Sequence, residues 1–200
     1  MFETDQLDNM YDVELENNSN HRYYTNGILS HNTTCYTMFC LWLATLFSEK
    51  RIMITANKLQ TAIEVMDRIR LSYDYLPKWL KPKTTIYNKG EIAFSNKSII
   101  RATATSSSAS RGFSCNCLCI DEIAFIPKNI MDDFWASVVP IVSSDKKSKI
   151  IAVSTPNGAS GKFYELWQQA NSTDKNKNVD GWTPFRIDWW EVPNRDEKWK

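Results

Sequence analysis

Leu118-Cys119-Ile120-Asp121-Glu122 is the stretch on which the fold of this chain turns. Three apolar residues run into two adjacent carboxylates. That is what a Walker B motif requires: a buried strand carries the first carboxylate to its carboxyl end, where it can hold Mg2+ through water, and the second can polarise an attacking water. An ordinary strand ending in a solvated Asp-Glu pair has the same appearance, so the surroundings decide. Downstream, Lys149 to Ser154 (KIIAVS) reads as a second buried strand leading into Ser154-Thr155-Pro156-Asn157-Gly158. Small hydroxyl residues at such a strand end can sense a γ-phosphate and pass its state to a neighbouring element, although the same residues also simply form turns. Upstream lies Ser106-Ser107-Ser108-Ala109-Ser110-Arg111-Gly112, in which Arg111 either reaches a phosphate and stabilises developing charge or sits on a solvated loop.

Farther out, apolar blocks of strand length alternate with helix-length blocks. Residues 33–48 read as a buried helix and 51–56 (RIMITA) as a strand. A second helix spans about 58–73, with Leu59, Ala62, Ile63, Met66, Ile69 and Arg70 at three- and four-residue intervals; Pro77 and Pro82 close that region. Residues 91–95 and 98–103 read as a hairpin turning at Asn96-Lys97 and forming an antiparallel edge. Residues 115–121 are a compact buried strand, helices follow at about 129–139 and 161–170, and 183–190 (TPFRIDWW) is a last strand. Strands separated by helices predict an α/β fold with a mainly parallel sheet covered on both faces.

Composition bounds the function. Twenty-four Lys and Arg against 23 Asp and Glu leave a net charge of +1, so a bulk basic surface for nucleic acid is unsupported. The longest apolar run, Met38 to Phe47, is far short of the ~18 residues that suggest a membrane span. The acidic N-terminus carries no apolar signal region, which points to the cytoplasm. Of five cysteines (Cys35, Cys40, Cys115, Cys117 and Cys119), the C-x-C-x-C run at 115–119 lacks paired C-x2-C spacing and both histidines lie far from it in sequence, so the cysteines read as reduced core residues rather than zinc ligands.

A phosphate-gripping loop needs G-x-x-x-x-G-K-[ST], and no such string is present. Thr33-Thr34, opening a helix that leads into RIMITA, nevertheless stands where the final hydroxyl of that loop would be, preceded by Ser-His-Asn instead of Gly-Lys. The ordered set TTCYTMFCLWLATLF (33–47), SSSASRG (106–112), LCIDEIAFIP (118–127) and STPNG (154–158), with the tail PFRIDWWEVPNRDEKW (184–199), resembles the ATPase domain of tailed-phage terminase large subunits. The resemblance implies a three-layer P-loop ATPase of the ASCE type that hydrolyses ATP with Mg2+ to drive DNA into capsids. It implies Thr33, Thr34 and Asp121 on ATP and Mg2+, with Glu122, Arg111, Ser154 and Thr155 as catalytic or coupling residues. It also implies viral DNA, portal and further terminase subunits as partners in the host-cell cytoplasm, and no membrane.

The first 32 residues have another character. Tyr11-Asp12-Val13-Glu14-Leu15-Glu16, Asn20-His21-Arg22-Tyr23-Tyr24 and Asn26-Gly27-Ile28-Leu29-Ser30-His31-Asn32 resemble the C-terminal end of an intein. Chemistry fits each position. The Asn32 side-chain amide can attack its own carbonyl to close a succinimide, His31 can protonate that carbonyl, and Thr33 supplies the hydroxyl that accepts the upstream segment. His21 resembles a second acid–base helper and Asp12 the carboxylate that tunes the first junction. Residues 1–32 are then expected to be the C-terminal half of a split intein, short β-strands that complete an all-β HINT fold with a partner chain. Residues 33–200 are expected to be a partial terminase ATPase domain lacking the start of the P-loop and the nuclease domain. The complementary N-terminal fragment would supply Gly-Lys. Two other readings remain: a stand-alone NTPase with a degenerate P-loop, and a non-catalytic nucleic-acid-binding remnant using Lys146, Lys147, Lys149 and the tryptophans.

Overall fold

The computed structural model of the chain describes residues 23–25, 28–30, 32–109, 113–145, 147–174, 177–178 and 180–186. Two short strands, β1 (Tyr23–Thr25) and β2 (Ile28–Ser30), pair antiparallel with Tyr23 opposite Ser30, apart from the main sheet. Helix α1 (Asn32–Leu46) leads to β3 (Arg51–Ala56) and α2 (Leu59–Asp74). Strands β4 (Thr84–Tyr87), β5 (Glu91–Phe94) and β6 (Ile99–Ala104) follow, then β7 (Cys117–Asp121) and a 3-10 turn at Ile123–Phe125. Helix α3 (Lys128–Ser143), β8 (Lys149–Val153) and α4 (Gly161–Ala170) complete the order.

Six strands form one sheet in the order β4-β5-β6-β3-β7-β8. Strands β6, β3, β7 and β8 are mutually parallel, and β5 and β4 add antiparallel. The sheet separates two cores. On one face α1 and α2 pack against Ile52, Ile54, Ile92, Ile100, Cys117 and Cys119; on the other α3 and Leu166 of α4 pack against Met53, Leu118 and Ile120. Every residue of β7 is buried, as a central parallel strand covered on both faces requires. Each Leu or Ile placed there contributes about 1.5–3 kcal/mol relative to exposure. The three-layer α/β arrangement expected of the sequence is present.

Four local expectations are corrected. Helix α1 is not buried all round: Met38, Trp42, Leu46 and Phe47 are exposed, and Trp42 contacts Phe39 and Phe47 with ring centroids 5.6 Å and 5.0 Å away. A helix without charged residues, whose exposed Met38, Trp42 and Leu46 are as apolar as its buried Leu41 and Ala44, gives little periodic signal from which to tell inner from outer face. The β5–β6 hairpin is not the edge, because β4 adds outside it; β4 is exposed over most of its length and so lacks the alternation that marks a half-buried strand. Helix α3 continues through Pro140 to Ser143, since burial of Val138 and Val142 outweighs the missing hydrogen bond at the proline. Residues 183–186 carry no strand, and the rest of the expected final strand lies outside the described residues.

Candidate functional site

The direction of α1 over the sheet defines the site. Cys40 Sγ lies 3.4 Å from Cys119 Sγ, two residues before Asp121. Tyr36, one turn earlier on α1, interacts electrostatically with Asp121, two residues later on β7. The far end of α1 is tied to the opposite edge, where Asn96 Nδ2 donates to the carbonyls of Ala44 and Phe47. Helix and strand therefore run antiparallel. The first turn of α1, which carries Thr33, is thereby directed toward the carboxyl edge of the sheet where Asp121 ends β7, the place where ligands bind in open α/β sheets. Both are buried, Thr33 at 4% and Asp121 at 5% exposure. A helix N-terminus at such a place favours anionic groups through its aligned N–H dipoles.

The second carboxylate is held differently. Glu122 has φ 52° and ψ 43°, the left-handed region that a residue with a Cβ avoids at a cost of about 1 kcal/mol or more. This conformation turns the chain sharply off the end of β7 into the 3-10 turn. Ser154, at the end of β8 and next to Val153, which pairs with Asp121, fixes that turn. Its Oγ accepts from the Ala124 amide at 3.1 Å and donates to Glu122 Oε2 at 3.3 Å. Asn157 Nδ2 adds a third link by donating to the Ala124 carbonyl at 3.2 Å. STPNG is thus joined to the Asp-Glu turn by three hydrogen bonds. At the neighbouring strand ends, Thr105 Oγ1 donates to the Ala56 carbonyl at 2.8 Å and lies 2.9 Å from Thr55 Oγ1, which closes β3 against β6.

The structure therefore brings Thr33, Asp121, Glu122 and Ser154 to one edge. Thr34 follows Thr33 on α1, its carbonyl accepting from Thr37 Oγ1, and half-buried Thr155 follows Ser154. Arg111, Asp12, His21 and His31 lie outside the described residues, while Asn32 is the first residue of α1. The cavity of about 540 Å3 lined by Gln168, Gln169, Asn171, Ser172, Thr173 and Lys177 belongs to the end of α4, not to the carboxylates. Three features escaped the sequence. Asn157 looked like a turn former only. Tyr36, whose hydroxyl is buried without a hydrogen-bond partner among the described residues and whose ionisation burial pushes well up, showed only its i+3 spacing from Thr33. Cys40 joins Cys117 and Cys119 across a separation that no local spacing reveals.

The residues present suit the metal half of a nucleotide site: a hydroxyl at a helix N-terminus, a buried carboxylate at a strand end and a second carboxylate one residue on. The glycines and lysine of a phosphate grip are not among them. No helix among the described residues is long and apolar enough to cross a membrane.

Residues 32–200 match the family described as terminase large subunit, T4likevirus-type, N-terminal. Among solved structures, the large terminase of bacteriophage HK97 superposes with a TM-score of 0.62 at 16% identity, covering 90% of this chain and 35% of that one. The large terminase ATPase domain of Thermus phage P74-26 gives 0.57 at 15% identity, covering 80% and 72%. A large terminase from a thermophilic bacteriophage, in complex with ATP-γ-S, gives 0.53 at 13% identity, covering 84% and 38%. Likeness at these identities establishes a shared fold. The chain spans only 35% of the HK97 large terminase and 38% of the one that holds ATP-γ-S.

Proposed function

This chain belongs to the T4likevirus-type terminase large-subunit family, N-terminal part, and from that premise we propose that it is one half of a DNA-packaging ATPase, joined to its other half by protein splicing in trans. The observation that carries the ATPase reading is the Glu122–Ser154 hydrogen bond at the carboxyl edge, on the side where α1 begins. Thr33 Oγ and the Asp121 carboxylate would hold Mg2+ with ATP. Bound there, the nucleotide supplies the phosphoryl group and the metal neutralises its developing charge. Glu122 orients and deprotonates the attacking water, and Ser154 steadies its carboxylate. Because Ser154 also holds the Ala124 amide, movement of Glu122 pulls on β8, which couples the site to neighbouring elements; Thr155 and Arg111 belong to the same apparatus. Viral DNA, portal and further terminase subunits are the partners of this motor in the host cytoplasm.

Splicing explains what the site lacks. The family match begins at residue 32, one residue before the proposed junction, and β1–β2 stand outside the six-stranded sheet. Residues 1–32 act as the intein's C-terminal half and 33–200 as the partial ATPase domain. Asn32 cyclises, His31 assists, His21 and Asp12 serve the nucleophile, and Thr33 accepts the incoming segment ending in Gly-Lys. Thr33 is buried in the first turn of α1 once folded, so that turn must open for ligation and close afterwards, which helix ends do readily. The incoming segment must also provide a strand leading into α1. Among the described residues β8 pairs on one side only, with β7, and its Ile150–Val153 are half-buried, which supports parallel addition beside it; β4, the other edge, is antiparallel.

The test is co-expression with the complementary fragment. Intact mass should show a ligated product containing residues 33–200, and Asn32→Ala should abolish release of residues 1–32. Cleavage that continues unchanged in that variant would sink the splicing reading. ATP hydrolysis by this chain with no partner would favour the degenerate P-loop alternative.

A further inference from the structure

Three of the five cysteines converge although their sequence spacing is not that of metal ligands. Cys117 and Cys119, two apart on β7, face the same side of the sheet, and Cys40 of α1 meets them from above. All three are buried, the sulfurs of Cys119 lying 3.4 Å from Cys40 and 3.9 Å from Cys117, with all three Sγ atoms within 4.8 Å of one another. A point equidistant from three sulfurs so placed is roughly 2.3 Å from each, the length of a zinc–thiolate bond. The remaining cysteines are held apart: Cys35 is exposed, and Cys115 packs in the opposite core, its thiol donating to the Cys117 carbonyl at 3.0 Å. A second feature marks the same place. Tyr36 lies one turn from Cys40 on the same face of α1, its hydroxyl is buried without a partner among the described residues, and Cys119 and Cys40 act on it electrostatically.

We propose that Cys40, Cys117 and Cys119 form a site for one thiophilic d10 cation, zinc(II) or copper(I), bound by sulfur between α1 and β7. Soft sulfur ligands select such ions, and the water-excluded surroundings disfavour harder ones. Binding displaces thiol protons to solvent as each sulfur lone pair forms a bond to the ion, with no change in oxidation state. The bound ion would clamp the helix that carries Thr33 to the strand that carries Asp121. The proposal rests on the thiol geometry alone and stands whether or not the chain splices or hydrolyses ATP.

The experiment uses the full 200-residue chain, reduced and free of oxygen, titrated in one arm with zinc chloride and in the other with copper(I) supplied as its acetonitrile complex. One equivalent should bind in at least one arm, and the arm that saturates identifies the ion. The unfolding midpoint should rise by roughly 5–10 °C at a hundredfold excess over Kd. Cys40→Ala, Cys117→Ala and Cys119→Ala should each lose that equivalent, while Cys35→Ser keeps it. No saturable binding in either arm, or undiminished binding by the Cys40→Ala/Cys117→Ala/Cys119→Ala variant, overturns the proposal. If the alanine variants fail to fold, X-ray absorption on the unmodified chain decides. About three sulfur neighbours near 2.3 Å support the site, and a nitrogen- or oxygen-dominated shell refutes it.

Discussion

The two faces of β7 are built from different chemistry, although they alternate along one five-residue strand. Leu118 and Ile120 point into a core of apolar side chains that includes Met131, Phe134, Val138 and Leu166. Cys117, Cys119 and Asp121 point to α1, whose inner face answers with Thr33, Tyr36, Thr37 and Cys40. The α3 side gives β7 its stability in the ordinary way, by large side chains removed from water. The α1 side gives up much of that stabilisation for polar and sulfur-bearing groups, and it is the side toward which the first carboxylate and the first turn of α1 are directed. Glu122 stands at the seam, its backbone strained and its side chain tied to Ser154. One face anchors the strand and the other carries the proposed site.

That contrast can be broken by substitutions that separate activity from stability. The largest effect is expected at Glu122→Gln, which keeps the size of the side chain and removes the proposed base. In the ligated product, steady-state ATP turnover should fall by about 10^3-fold or more, with the urea midpoint unmoved; a loss below tenfold would take Glu122 out of the chemistry. Phe134→Ala, on the opposite face, should cost about 3–5 kcal/mol in denaturant unfolding, and a cost under about 1 kcal/mol would show that the α3 core is not the anchor. Ser154→Ala should lower turnover by about tenfold, the worth of one hydrogen bond to a charged group, with little change in nucleotide affinity. The smallest effect sharpens the seam: Glu122→Gly relieves the left-handed conformation and should raise stability by about 0.5–1 kcal/mol while activity is lost. A destabilised Glu122→Gly would mean that the carboxylate's contacts outweigh the backbone strain.

Much of this was legible in the residues, for physical reasons. RIMITA, CNCLCID and KIIAVS are short apolar runs whose only stable place is the inside of a sheet, and they form β3, β7 and β8 within about two residues of the expected bounds. Helices α2 and α4 announce themselves by polar faces. What the sequence hides is set by tertiary context. The exposed side of α1 is as apolar as its buried side. Leu59, counted toward the inner stripe of α2, is exposed, while Val65 takes a core position. The left-handed turn at Glu122 and the clamp from Asn157 follow from how β7 and β8 end side by side, which residue types alone do not specify. The meeting of Cys40 with Cys119 depends on the angle at which α1 crosses the sheet.

The most direct measurement is ATP turnover by the two fragments, separately and after ligation, with intact mass recorded on the same samples. The ligated polypeptide should hydrolyse ATP with Mg2+, while neither fragment alone exceeds background, and turnover should rise in step with the ligated mass. Full-rate hydrolysis by the unligated chain, or an inactive product of the correct ligated mass, would contradict the proposal that Thr33, Asp121 and Glu122 become a working site only when Gly-Lys is joined to Thr33.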